Sequence, residues 1–314
     1  SSKNYDFNGF LIYDAEEIVK LEFSKVKLDD YFLGKASYTF NKLQNFLLID
    51  GITYNHSNAP KYQFVPSDKN LQIKIKLSTV KIRSDLSLAN FTGSFDLSDK
   101  FYGDGLGRLN NGPEIKVNVQ ADETGRVFKV FANNAGDVLL ESNIYSSGYG
   151  GEIDFVLVQS PESESFGSLN VRNLRVIGAP FLAKLISLTS VKGIIDVLGS
   201  NGMIFDDISA NYKINNNLLE ISNGIAISPS FGLTLSGTRE MNKKVINFNG
   251  VLSPAYSING MVKKIPLIGN VFGGNEGEGA FGINYFAKGG IRNPEITVNP
   301  LSFIAPGQFR KLLN

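Results

Sequence analysis

The feature that most constrains the fold is a two-residue alternation of apolar and polar side chains along much of the chain. It recurs at residues 115–119, 231–235 and 281–285. Successive side chains of a strand point to opposite faces, so each such run predicts a strand with one apolar and one polar face. The chain is therefore predicted to be mainly β. In the clearest run, Leu71, Ile73, Ile75 and Leu77 alternate with Gln72, Lys74, Lys76 and Ser78.

Glycine-containing motifs separate these runs. NNG, SNG, FNG and AKGG recur at spacings typical of turns in a meandering antiparallel sheet. Each apolar face must then be covered. A second sheet would do so in a β-sandwich, and a ligand would do so in a curved sheet that only partly closes on itself. Alternation alone is compatible with both arrangements.

Helical patterns are few. Residues 135–144 predict a short helix, and residues 180–198, which begin with Pro180, predict two short amphipathic helices with a break near Lys192 and Gly193. Residues 254–272 and 306–313 also have helical spacing of apolar residues. Two interpretations of these apolar sides stay open: core against the sheet, or contact with lipid or a membrane surface.

Composition excludes several functions. The chain has 31 Lys and Arg against 30 Asp and Glu, so it lacks the basic excess of a nucleic-acid binder. It has no cysteine, which excludes disulfides and thiolate chemistry, and its single histidine, His56, excludes multi-histidine zinc sites and histidine-based triads. We predict that His56 is an exposed turn residue. No run of about 18 apolar residues occurs, so this segment is not expected to span a membrane.

Three motifs are candidates for chemistry, and each is better explained as a turn. Glu276 and Glu278 are spaced like paired acids, but flanking glycines indicate a surface loop. Asp206 and Asp207 are predicted to lie in a solvated turn. The sequence GDGLGR at 103–108 is similar to a phosphate loop but lacks a following helix and a terminal Lys-Ser or Lys-Thr. We therefore predict a non-catalytic protein that needs no metal or cofactor.

From about residue 135 onward, the sequence resembles the AsmA-like C-terminal region of bacterial envelope proteins of the AsmA and TamB type. The segment AGDVLLESNIYSSGYGGEIDFVL resembles the helix and glycine-led strand that open that region. Residues 169–224 resemble its central part and residues 233–313 its ending. The resemblance implies an upstream extended β segment over residues 1–130 and an AsmA-like region over residues 131–314, continuous with the same sheet.

The resemblance also implies a fold and a function. AsmA-like proteins are usually anchored in the inner membrane, and their long sheet curls into a groove that crosses the periplasm, as in bridge-like lipid transfer proteins. We therefore expect an elongated, strongly curved antiparallel sheet with short amphipathic helices near its C-terminal end. The implied function is phospholipid transport between the inner and outer membranes, in support of outer-membrane integrity. The implied location is the periplasm, with the anchor outside this segment.

The expected partners are phospholipid acyl chains and, at one end, a membrane surface. Arg310 and Lys311 are predicted to contact headgroups. The alternative function is a periplasmic scaffold or assembly factor that binds outer-membrane or periplasmic proteins by strand pairing at a sheet edge. The residues predicted to contact lipid or membrane are Phe181, Leu182, Leu185, Ile186, Ile194, Ile195, Leu198, Ile265, Leu267 and Ile268.

Overall fold

The structure, a computed structural model, describes residues 5–58, 70–98, 100–122, 125–160, 164–188, 202–254, 282–291 and 293–299. It confirms the mainly β class, because this part of the chain contains eighteen strands and two short helices. The chain divides into two compact units. Unit 1 comprises Ser1–Ser146 and Asp154–Glu162, and unit 2 comprises Ser147–Ile153 and Ser163–Asn314.

Unit 1 is a sheet in which consecutive strands are neighbours from the first to the ninth. Its elements are β1 (Tyr5–Asp14), β2 (Glu17–Leu28), β3 (Phe32–Thr39), β4 (Asn45–Asn55), β5 (Leu71–Arg83), β6 (Leu86–Leu97), β7 (Phe101–Leu109), β8 (Glu114–Asp122), β9 (Gly125–Ala132) and α1 (Ala135–Glu141). A further strand, β11 (Glu152–Gln159), pairs with β9.

One pair departs from the predicted antiparallel arrangement. Strands β4 and β5 run parallel, with Ile49 opposite Ile75. A parallel pair needs a crossover connection of about a dozen residues or more, and residues 56–70 provide that length. All other neighbouring pairs from β1 to β9 are antiparallel.

Unit 2 is an antiparallel sheet with one helix on its apolar face. Each of its long strands pairs with the next along the chain, and the short β10 pairs with β12. Its elements are β10 (Gly148–Tyr149), β12 (Glu164–Val176), α2 (Pro180–Leu188), β13 (Met203–Asn215), β14 (Leu218–Ile227), β15 (Phe231–Glu240), β16 (Val245–Pro254), β17 (Ile283–Gly290) and β18 (Glu295–Asn299).

The two helices agree with the sequence pattern. Helix α1 is capped by Asn134, whose side chain accepts a hydrogen bond from the backbone N–H of Asp137 at 3.1 Å. Helix α2 is the first of the two helices predicted over 180–198, and the second lies outside the described residues, as do 255–281 and 300–314. Pro254 ends β16 instead of beginning a helical segment. No helix in the described ranges is long and apolar enough to cross a membrane.

The prediction of a turn at 103–108 was wrong, because GDGLGR lies inside β7. Gly103, Gly105 and Gly107 alternate along this strand and are buried. A Cβ added to Gly103 would lie 2.6 Å from the Cα of Phe95, and one added to Gly105 would lie 2.6 Å from a ring carbon of Phe91. The glycines are therefore explained by the close approach of aromatic neighbours in a strand, not by a turn.

Four more predicted turns lie inside strands. SNG at 222–224 belongs to β14, where a register shift between Ile221 and Gly224 marks a bulge. FNG at 248–250 belongs to β16, AKGG at 287–290 ends β17, and Asp206 and Asp207 belong to β13. A bulge accepts a glycine, and a strand position that faces solvent accepts an aspartate, so neither residue requires a turn. Register shifts of this kind recur in several pairs and bend the strands that carry them, so each sheet is curved.

Replacement of Gly103 by alanine is expected to destabilise the protein by about 1–3 kcal/mol, because the new methyl group meets the Ser94 carbonyl and the Phe95 backbone. Urea unfolding followed by circular dichroism measures this change. Gly290→Ala is the matched control, since no atom lies within 4 Å of its added Cβ. Equal stability of the two variants would contradict the packing explanation.

Candidate functional site

The candidate site is one face of the unit 1 sheet, formed by two rows of directly paired residues. Directly opposite residues share a face of the sheet. No member of either row is charged, and we call the two rows together the apolar face of unit 1. The first row is Leu11, Leu21, Tyr38, Leu47, Ile73, Phe95, Gly103, Val119 and Phe128, and the second is Gly9, Phe23, Ala36, Ile49, Ile75, Gly93, Gly105, Val117 and Val130.

The opposite face of the same strands is mostly polar. A row of directly paired residues lies there between the two apolar rows, and alternation turns its side chains to the other side of the sheet. The sheet therefore separates hydrocarbon from charge over nine strands. The polar row is Phe10, Glu22, Ser37, Leu48, Lys74, Ser94, Asp104, Asn118 and Lys129.

Much of the apolar face is only half-buried. Ala36, Ile49, Ile75, Val117 and Val130 all retain accessible surface, although they lie in the middle of the sheet. A packed core would bury such residues almost completely. Burial on this side is nearly complete at Phe95, Gly103 and Gly105 and in a small cluster of Val26, Phe32 and Leu77. Hydrocarbon surface thus stays accessible along the second row.

The apolar face is long enough to hold a lipid chain. Nine strands have eight spacings of about 4.8 Å, which gives a row of about 38 Å measured across the sheet. An acyl chain spans one half of a hydrocarbon core about 30 Å thick, which is about 15 Å. A chain laid across the strands would therefore contact three or four of them at a time.

A cleft of about 830 Å³ lies on the polar side of unit 1. Its lining includes Thr92 and Ser94, and Lys116 and Asn118, which flank second-row positions and therefore point away from the apolar face. Asn118 donates a hydrogen bond from Nδ2 to Asp104 Oδ1 at 3.1 Å within this lining. The volume suits a small ligand. Its lining combines lysines and aspartates with apolar residues that include Leu106, Phe131 and Phe155.

Helix α2 carries four of the predicted lipid-contact residues. Leu182, Leu185 and Ile186 are buried in a core that also includes Phe231 and Leu252 of the sheet. A hydrogen bond also attaches the helix to the residue that precedes β18. Lys184 Nζ donates it to the backbone carbonyl of Pro294 at 3.0 Å. These three side chains therefore form core in this structure, and lipid contact through them stays a prediction.

Phe181 is the fourth of these residues and is half-buried. Its ring packs edge-on against Tyr285, with ring centroids 6.1 Å apart. The other predicted contact residues lie outside the described part of the chain, as do Glu276 and Glu278. They are Ile194, Ile195, Leu198, Ile265, Leu267, Ile268, Arg310 and Lys311.

His56 is an exposed turn residue, as predicted, and its backbone N–H donates to the carbonyl of Lys81 at 2.8 Å. Among the described residues, no group of three or more histidines and carboxylates is placed to hold a metal ion. No family model, curated protein or solved structure matches the chain.

The sequence pattern missed the way in which the strands combine. Alternation identified Ile73, Ile75, Val117 and Val119 as apolar strand positions. It did not show that Gly103 and Gly105 of β7 continue the apolar rows between β6 and β8. A strand with glycine at these positions carries no hydrophobic signal. The phenylalanines of β6 were the available clue, since aromatic residues commonly pack over strand glycines.

Leu185→Ala is expected to destabilise the protein by about 2–5 kcal/mol, because this side chain is fully buried. Leu188→Ala on the same helix is the control and should change stability by less than about 0.5 kcal/mol, since Leu188 is 43% exposed. Denaturant midpoints of the two variants test this. A stable Leu185→Ala protein would show that α2 does not pack as described.

Tyr285 gives unit 2 a pH dependence. Its hydroxyl donates to the Thr234 carbonyl at 2.7 Å, and burial raises the pKa of this hydroxyl. Above the ordinary tyrosine pKa of about 10, the unfolded chain loses this proton while the folded chain keeps it, so stability falls as the pH rises. Tyr285→Phe should cost about 1 kcal/mol at pH 7 and reduce the alkaline loss, measured by urea unfolding at pH 7 and 11.

Proposed function

We propose that this chain is a non-catalytic, AsmA-like periplasmic segment that carries phospholipid acyl chains between membranes along the apolar face of unit 1. One observation carries the proposal: two uncharged rows continue in register across nine strands, and mid-sheet members such as Ile49, Ile75 and Val117 are only half-buried. The resemblance of residues 135–313 to the AsmA-like region supports it independently of this face. Anchoring in the inner membrane would come from a segment outside this chain.

Hydrocarbon transfer explains why such a face is useful. Each methylene group of an acyl chain exposed to water costs about 0.8 kcal/mol. Contact with Ile49, Ile75 or Val117 removes part of that cost, while the polar face keeps the other side of the sheet hydrated. Over Gly93 and Gly105 the surface of this face is formed by the rings of Phe95 and Phe91. Movement along the rows then requires neither bond making nor a specific polar contact.

A photoreactive amino acid at Val117 is expected to crosslink to a phospholipid carrying an alkyne-labelled acyl chain. The same residue at Lys116 is the control, because it is adjacent in β8 but faces the polar side. Labelled lipid should therefore appear on the Val117 variant alone. Equal labelling at the two positions, or labelling at neither, would contradict the proposal.

A charged substitution extends this test. Val117→Glu should remove most lipid crosslinking at a probe placed at Val130, which lies directly opposite in β9. Thr92→Glu adds the same charge at an exposed position on the polar face and should leave crosslinking unchanged. Far-UV circular dichroism of both variants confirms that the sheet is retained.

The second candidate function is a scaffold that binds another protein by strand addition at β1. This strand pairs with β2 and has no lysine or proline, the residues that commonly protect an edge. It exposes Tyr5, Phe7, Phe10, Leu11 and Tyr13. Under this alternative, Val117→Glu leaves protein association unchanged, whereas Phe7→Lys combined with Leu11→Lys removes it. Light scattering measures the association.

A further inference from the structure

Arg239 is the one charged residue in two apolar rows of unit 2. Leu219 of β14 lies directly opposite it on one side and Ile246 of β16 on the other. It thus shares a face with the buried core residue Ile246. Its own row is Ser165, Ile214, Leu219, Arg239, Ile246 and Gly289, and the neighbouring row is Gly167, Tyr212, Ile221, Gly237, Phe248, Ala287 and Ile296.

The Nε of Arg239 is buried and has no hydrogen-bond partner among the described residues, while the residue as a whole is half-buried. The carboxylates nearest in sequence and register do not serve it. Glu220 pairs with Thr238 and so faces the opposite side of the sheet, while Glu240 binds Lys243 Nζ at 2.8 Å. A guanidinium carries five donors, and leaving a buried donor of a charged group without an acceptor is destabilising.

The surroundings of Arg239 are apolar and still accessible. Leu219, Ile221, Phe248 and Tyr212 are half-buried. Burial raises the pKa of the Tyr212 hydroxyl, which reflects reduced hydration beside these rows. In such a place a charge interacts more strongly with an opposite charge than it does in water.

Arg239 lies at the end of β15 remote from the helix. Phe231, at the start of the strand, is fully buried in the core that α2 covers. Eight residues separate the two positions, a distance of about 27 Å along an extended strand. Leu233 and Leu235 lie between them on this face and are half-buried. The face therefore has an apolar stretch that ends at a cation.

We propose that Arg239 binds the oxyanion of an anionic amphiphile, a carboxylate or phosphate headgroup, whose hydrocarbon chain lies on the apolar face of unit 2. This inference rests on the proposed lipid function and deepens it by naming the class of lipid that this position selects. Charge complementarity identifies the headgroup, because the guanidinium has no carboxylate of its own. The flanking Leu219, Ile246 and Phe248 identify the occupant as an amphiphile, since a free phosphate would gain nothing from them.

The test compares oleate with oleyl alcohol, which have the same chain and differ in headgroup charge. Each is titrated below its micellar concentration into the full chain, and displacement of a fluorescent fatty alcohol is measured. Wild type is expected to bind oleate roughly tenfold more tightly than the alcohol, because a hydrogen-bonded charge pair forms. Arg239→Gln should bring the two affinities close together by weakening oleate binding alone.

Three further variants make the result specific. Arg175→Gln removes an exposed arginine of β12 and should leave the oleate preference unchanged. Arg239→Lys keeps the charge but loses the planar guanidinium, so it should retain only part of the preference. Arg239→Met should not lower the melting temperature of the ligand-free protein, because it replaces an unpartnered buried donor with an apolar chain of similar length.

The outcomes separate this inference from the proposed function. If both ligands bind and Arg239→Gln keeps the wild-type preference, the role of Arg239 is overturned while lipid carriage stands. If neither ligand binds wild type and no lipid crosslinks at Val117, both proposals fall. A marked loss of stability in Arg239→Met would instead show that the arginine stabilises the fold through its own contacts, which also overturns the inference.

Discussion

The register of the strands is the constraint on which the rest of this structure depends. Ile75, for example, lies opposite Ile49 on one side and Gly93 on the other, so uncharged positions meet uncharged positions from strand to strand. A shift of one residue in the register of β5 or β9 would place Lys74 or Lys129 on the apolar side. Because desolvating such a charge is costly, the alternation that forms each strand also fixes how the strands join.

In unit 1, phenylalanine rings of one strand pack over glycines of the neighbouring strand. Phe91 and Phe95 of β6 occupy the space above the glycines of β7, and Phe95 also stacks on Phe101 with ring centroids 5.2 Å apart. The rings satisfy local packing without a second layer over the whole face. Half-buried hydrocarbon therefore remains around Val117 and Val130.

In unit 2, a helix covers part of the apolar face of the sheet. Leu185 and Ile186 of helix α2 bury one end of this face. Tyr285 lies in the same core and donates its hydroxyl hydrogen bond to the Thr234 carbonyl. The other end carries Arg239 and has no helix over it among the described residues. If the proposals hold, unit 1 offers uniform hydrocarbon along which a chain slides, and unit 2 offers a charged position at which a headgroup is recognised.

The sequence by itself determined the strands, their two faces, the first helix of 180–198 and the exposed turn at His56, because these follow from local periodicity and turn chemistry. It misassigned GDGLGR, SNG, FNG, AKGG and the Asp206-Asp207 pair as turns, since a glycine or aspartate in a strand has the same local signal. Only the tertiary structure decided that β4 and β5 run parallel, that Leu185 is core, and that Arg239 lies on an apolar face. Each of these depends on which strands become neighbours, and residues far apart in sequence carry no local record of that choice.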